Sequence, residues 1–256
     1  MSEVFNGVGV ALVTVFDARG EVDLAVTSGL ASDLVARGLS AVIVSGTTGE
    51  AGTLTPGERV ALVEAVRAAL PPGVPVIAGT GAPAEQTAAE LTKDAVNAGA
   101  SAVLAWPPPG RTEHTRYYEI VSEAAGGCPV LAYHIPPVSS PGIPVHALAT
   151  LPVAGVKDSS GSADRLLDEL AHYPGATYVG SSALLALAGP MGAAGAILAL
   201  ANIEPERCCR AFAGDVIAQR ELADGHLELR RGGPPTLKRL LAADRGTSPV
   251  ARVSSS

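Results

Sequence analysis

Eight short runs of Val, Ile, Leu and Ala recur along this 256-residue chain at intervals of roughly 25–30 residues, the spacing of strand–helix units. A strand that is apolar on both faces must be covered on both, which excludes a half-exposed antiparallel sheet. The runs predict strands over 8–15, 41–46, 74–79, 102–106, 130–135, 153–157, 176–180 and 196–200. Between them, polar residues gather on one face of stretches at 24–36, 57–69, 84–98, 112–125, 145–151 and 162–172, which predict helices. Thr55-Pro56-Gly57-Glu58 carries the residues of a capping box with Pro at the first helical position, so a helix starts there. Eight such units in about 200 residues fit an α/β chain closed as a (β/α)8 TIM barrel better than an open doubly wound sheet. The expected organisation is a barrel over 1–203, with additional C-terminal helices and a tail over 204–256 packed on it as one domain. At least two helices are expected in 204–240, and a mobile tail from 244.

Composition narrows the function classes. Only 4% of residues are aromatic and the net charge is −7, so the chain offers neither the stacking surface nor the basic field that nucleic acid requires. Cys128, Cys208 and Cys209 show no Cys-x-x-Cys spacing and no even framework, which fits a reducing cytoplasm. The first five residues include Glu3 and no basic n-region, so no secretion signal is expected. Residues 181–203 carry no charge and reach membrane-spanning length, but Pro190 and several glycines divide them into an expected helix (183–188) and strand (195–202). No membrane partner is therefore expected.

Lysine is scarce: Lys93, Lys157 and Lys238 are the full set. Lys93, on a polar helix face, and Lys238, in a basic C-terminal helix, read as solvated charges. Lys157 ends the apolar run Val153-Ala154-Gly155-Val156-Lys157 and should project at the C-terminal mouth of the sixth strand, the end where barrel enzymes place their chemistry. Burial there disfavours the ammonium, and a neutral amine can attack a carbonyl carbon to form a Schiff base. The competing reading is a structural ion pair with the adjacent Asp158. Tyr133, at the end of the fifth strand, should stand beside Lys157 across neighbouring strands, where a phenol can relay protons. His134 alternates away from it and reads as structural. In Ser45-Gly46-Thr47-Thr48-Gly49-Glu50, glycines flank two hydroxyl residues, so backbone N–H groups can converge on an anion such as a carboxylate; an ordinary glycine-rich turn is the alternative.

Other motifs carry less. Gly79-Thr80-Gly81-Ala82-Pro83-Ala84 has the G-x-G-x-x-A pattern but follows the third strand, so no dinucleotide cofactor is expected. The five histidines lack metal-ligand spacing, and no metal is expected. Gly180-Ser181-Ser182 after the seventh strand is the one hint of a phosphate site.

Taken in order on these strands, Gly46-Thr47-Thr48-Gly49-Glu50, Tyr133-x-Ile135-Pro136 and Gly155-x-Lys157-Asp158-Ser159-Ser160-Gly161 closely resemble the dihydrodipicolinate synthase / N-acetylneuraminate lyase family of pyruvate-dependent class I aldolases. The resemblance runs over residues 5–220 and includes Gly195-Ala196-Ile197 with Ala201-Asn202. It implies a lyase that needs no cofactor, in which Lys157 forms an imine with a 2-oxo acid and Tyr133 relays protons. It further implies that Thr47 and Thr48, in the loop opened by Gly46, hold the pyruvyl carboxylate, with the Thr47 hydroxyl bonded to Tyr133. The carbonyl of Ile197 would line the pocket. An aldehyde as second substrate and a homo-oligomer, dimer or tetramer, are implied as partners.

The sequence departs from the synthases at two places. The arginine two residues past Tyr-x-x-Pro is replaced by Val138, between Pro137 and Ser139, and the tyrosine pair after the fourth strand by Trp106-Pro107-Pro108-Pro109-Gly110. Both departures count against aspartate semialdehyde as the aldehyde and are similar to the pattern of family aldolases acting on hydroxy-oxo acids. The C-terminal helices also read as shortened. The alternatives are a dihydrodipicolinate synthase with an atypical second-substrate site, a hydratase-aldolase, or a non-catalytic paralogue.

Overall fold

In the computed structural model, which describes residues 3–253, the apolar runs form eight parallel strands. These are β1 (Gly7–Ala11), β2 (Ala41–Val44), β3 (Val76–Gly79), β4 (Ala102–Ala105), β5 (Val130–His134), β6 (Gly155–Asp158), β7 (Ala176–Val179) and β8 (Gly195–Leu198). They are hydrogen-bonded in chain order and closed by β8 on β1, so the (β/α)8 barrel is the observed fold. Helices α1 (Leu24–Ala36), α2 (Pro56–Ala69), α3 (Glu85–Asn97), α4 (Thr115–Ala125), α5 (Val145–Leu148), α6 (Ala163–His172) and α7 (Leu185–Ala188) alternate with the strands. The capping box at α2 is formed: Glu58 N donates to Thr55 Oγ1 at 3.2 Å, and Thr55 N donates to Glu58 Oε2 at 2.8 Å.

Period-two alternation sorts the strand residues into two cores. Ile43, Ile77, Leu104, Leu131, Tyr133, Tyr178 and Ile197 pack together inside the barrel. Val10, Val42, Val44, Val103, Val156 and Leu198 belong to the layer beneath the helices. Tyr178 stacks on Phe5 at 4.7 Å, and its hydroxyl donates to Phe5 O and accepts from Val4 N, which plugs the N-terminal end of the barrel. The uncharged stretch at 181–203 divides into α7 and β8, and no helix among the described residues is long and apolar enough to cross a membrane.

The first strand is shorter than the expected 8–15 for a specific reason. Leu12 N still donates to Ile43 O of β2, but beyond it the backbone leaves the ladder: Val13 N donates to Asn202 Oδ1 and Val15 N to Thr27 Oγ1, so side chains replace sheet partners. Asn202 is fully buried and also donates through Nδ2 to Ala11 O and Ala199 O, tying the chain after β8 to the end of β1.

After β8 the chain forms three helices, α8 (Pro205–Phe212), α9 (Val216–Glu221) and α10 (Ala223–Arg245). α10 breaks at Gly233, whose φ of 54° lies in the left-handed region; Pro234 disfavours a helical residue before it and, with Pro235, donates no backbone N–H.

Two expectations about this region are corrected. Lys238 is not solvated: it is 1% exposed, forms an ion pair with the buried Glu50, donates to Val250 O at 2.9 Å and lies 3.8 Å from the centroid of the Phe16 ring. Its neighbours Thr236, Leu237 and Leu241 are buried with it, so this side of α10 faces the barrel although its composition is basic. The described part of the tail is also not free, because Arg252 and Val253 hydrogen-bond to Glu50; residues 254–256 of the expected tail lie outside the described residues. Lys93, by contrast, is exposed as expected.

Asn202→Ala leaves Val13 N and Ala11 O without their buried partner and should lower unfolding stability by about 2 kcal/mol, read from denaturant midpoints. An unchanged midpoint would show that the barrel closes without this bond.

Candidate active site

Lys157 is the third residue of β6 and stands in register with Tyr133 of β5. Residues paired in register on adjacent parallel strands share a face, so both side chains point into the barrel. Lys157 is 5% exposed; Nζ lies 3.1 Å from Tyr133 Oη and 4.2 Å from the ring centroid. Ser159 Oγ is 3.4 Å from the same phenol oxygen. Burial acts most strongly on the Tyr133 phenol and raises its pKa. The Lys157 charge and the hydrogen-bonding groups of Ser159, Lys157 and Thr47 together outweigh it, and the net shift is downward. A phenol so placed is readied to give up its proton.

The next residue on each strand points outward. Asp158 accepts from Ser160 N at 2.8 Å and Ser160 Oγ at 2.9 Å and lies 3.7 Å from Arg165. It is thus engaged away from Lys157, which removes the motive for reading the lysine as a structural ion pair. His134 accepts from Ile143 N through Nδ1, and burial, helped by Arg165 and His114, pushes its pKa down to about 4. It is a neutral structural ring.

A cavity of about 490 Å³ opens beside Tyr133 and is lined by Gly46, Thr47, Trp106, Val138 and Arg59 among others. Lys157 contributes no lining surface and meets this cavity through Tyr133. Trp106 seats against Gly81, where an added Cβ would come within 2.5 Å of the indole, so glycine there sets the wall. Of the other predicted residues, Thr48 lines a smaller cavity of about 100 Å³, shared with Thr47 and facing α10. Ile197 is packed into the interior core with Tyr133 and is not among the residues lining the large cavity. Sequence reasoning singled out neither Arg59 nor Ser159's contact with Tyr133. The Arg59 guanidinium donates to Gly79 O at 3.1 Å and to Ala51 O. An arginine in a helix's second turn looks like any solvated charge until the turn before it is placed.

Comparison with known proteins joins this geometry to a family. The dihydrodipicolinate synthetase family profile matches residues 4–224. The chain belongs to that family. A 4-hydroxy-tetrahydrodipicolinate synthase of Salinibacter ruber is 33% identical over 238 residues, covering 88% of this chain and 78% of that protein. One of a Synechococcus strain is 44% identical over 130 residues, covering 49% of this chain and 43% of the relative. The crystal structure of a dihydrodipicolinate synthase from Bacillus anthracis superposes with a TM-score of 0.86 at 27% identity, over 99% of this chain and 94% of that one. Membership places the chain in a family of lyases, as the motifs implied.

Behind Asp158 lies a titratable group that does not line the cavity. Glu169 on α6 is fully buried, 2.9 Å from Arg165. Burial foremost, then the Asp158 charge, raises its pKa from 4.5 to about 8 against the pull of Arg165. Because the folded form holds this proton more tightly, its contribution to stability is present below the unfolded value and is lost as pH rises through about 8. Glu169→Gln should flatten the fall in thermal midpoint between acidic and alkaline buffer; an equal fall in both proteins would assign the pH dependence elsewhere.

Proposed function

We propose that this chain is a Schiff-base-forming lyase acting on pyruvate or a related 2-oxo acid. The observation that carries the reading is the buried Lys157 amine held 3.1 Å from the Tyr133 hydroxyl, with the neighbouring carboxylate turned away. Lys157 gives up its ammonium proton and attacks the keto carbon, and through Tyr133 that proton and one from the bound amine reach the keto oxygen, which leaves as water and gives a protonated imine. The imine nitrogen then accepts the electron pair released when the bond beyond the former keto carbon breaks, or when a proton leaves the adjacent carbon. The resulting enamine attacks an aldehyde or is protonated, and water frees the lysine. All atoms come from substrate, water and side chains, so no cofactor enters. Following the resemblance, Thr47 and Thr48 are assigned to the carboxylate with Gly46 shaping their loop, and the Ile197 carbonyl to the pocket.

For the second substrate, Val138 stands where the synthases carry an arginine, which favours an uncharged hydroxylated aldehyde over aspartate semialdehyde. A synthase with a different carboxylate partner is the second reading. Arg59 favours it, since this guanidinium lines the same cavity and its hydrogen-bond partners among the described residues are carbonyls. A panel of hydroxyaldehydes and aspartate semialdehyde, compared in the protein and in Arg59→Ala, separates the two.

Borohydride added with pyruvate should leave one reduced pyruvyl group on the peptide containing Lys157, read by mass spectrometry; an unmodified lysine would refute the imine. Lys157→Ala should abolish trapping and turnover with the fold unchanged. Tyr133→Phe should slow turnover by about 100-fold, the range of a lost proton relay, and a rate within a few-fold of the parent would remove Tyr133 from the chemistry.

A further inference from the structure

Glu50 closes the Gly46-Thr47-Thr48-Gly49-Glu50 loop with a φ of 56°, in the left-handed region. A non-glycine residue stays there when its surroundings over-determine it. Two backbone bonds, Glu50 N to Thr47 O and Ala51 N to Gly46 O, fold the loop into a tight turn, so the orientation of Glu50 and that of Thr47 are linked. On the barrel side Thr14 Oγ1 donates to Gly49 O at 2.8 Å. On the other side Thr53 donates to Glu50 O through its N–H and hydroxyl, and the partners of the Glu50 carboxylate come from the C-terminal region. The carboxylate pairs with Lys238 of α10 and accepts from the backbone N–H of Arg252 and of Val253, each at 2.8 Å.

Arg252 then fastens that segment to the rim of the barrel. Its guanidinium makes two bonds to Glu58, at 3.0 and 2.6 Å, and also donates to Gly20 O and Thr53 O. Phe16 lies beneath both cations, 3.8 Å from Lys238 Nζ and 4.4 Å from the Arg252 guanidinium carbon. Val253 lines the same cavity as Thr47 and Tyr133. A buried ion pair adds little stability over an apolar pair of the same volume, but it fixes one arrangement, since breaking it strands a charge.

We propose that Glu50 is a positioning residue and that segment 249–253 is a strap: through Glu50 it sets the turn that aims Thr47 at the 2-oxo acid. Lys238 anchors the strap from α10 and Arg252 anchors it from the rim. This rests on the assignment of Thr47 and Lys157 made above. A loosened strap leaves the turn competent for only part of the time, which weakens apparent binding in proportion while the chemistry of bound substrate is unchanged.

Arg252→Ala and the milder Glu58→Gln, which keeps a residue suited to the capping box, test this with two readouts. The first is amide hydrogen exchange of the peptide covering 45–54, which needs no substrate. It should quicken in both variants while exchange in the barrel strands stays at the parent rate. The second is borohydride trapping: a turn competent one-tenth of the time raises the half-saturating pyruvate concentration about tenfold, with the rate at saturation within about twofold of the parent. Arg252→Lys should recover part of the loss. Unchanged exchange at 45–54 in a folded variant overturns the proposal, as does an unchanged half-saturation in a protein whose parent traps pyruvate. If the parent does not trap, the imine reading fails, and the exchange experiment alone decides the role of the strap. If Arg252→Ala does not fold, Glu58→Gln decides by the same two measurements.

Discussion

One register, Tyr133 against Lys157 on β5 and β6, organises the site. In a closed parallel barrel the face that a residue presents is decided by its neighbour, because period-two alternation leaves no intermediate choice. Setting that pair inward forces His134 and Asp158 outward into the layer beneath the helices, where a charge must find partners. Arg165 and Ser160 meet that need, and in doing so they keep the aspartate away from the amine. The facing amine and phenol at the mouth and the ion pairs behind the strand are two results of the same pairing.

The barrel and the helices outside it contribute different things. The strands fix where the amine and the phenol stand, with no freedom beyond a rotamer. The turn after β2 has no ladder of its own, and its shape is held by contacts from the chain just after β1 and from the chain after α10. Rigid strands and a borrowed restraint on a turn thus meet around one cavity, which is the usual division between scaffold and binding loops in this architecture.

The fold was legible because burial on both faces writes itself into composition. All eight strands fall within or next to the apolar runs, and the α2 cap was readable from four residues. The Tyr133 and Lys157 pair was legible for the same reason: strand position predicts neighbour and face. What the sequence concealed depends on long-range partners. Lys238 sits in a stretch of α10 rich in arginine, and only the distant Glu50 and Phe16 explain why its charge is buried. Arg252 was read as part of a loose tail because its partners, Glu50, Glu58 and Gly20, lie some two hundred positions earlier. For Ile197, strand alternation predicts only the inward side chain, which packs in the barrel interior; the role of its carbonyl comes from the resemblance alone.

Asn202 joins segments 189 and 191 positions apart, and it does so where the last strand meets the first. Such a contact brings no reward until almost the whole chain exists, because β1 has nothing to its left until β8 arrives. During synthesis the early strands therefore wait with one edge unsatisfied, open to pairing with any neighbouring polypeptide. A ring has no half-finished form that is safe, and the small buried amide that latches it marks the moment at which that exposure ends.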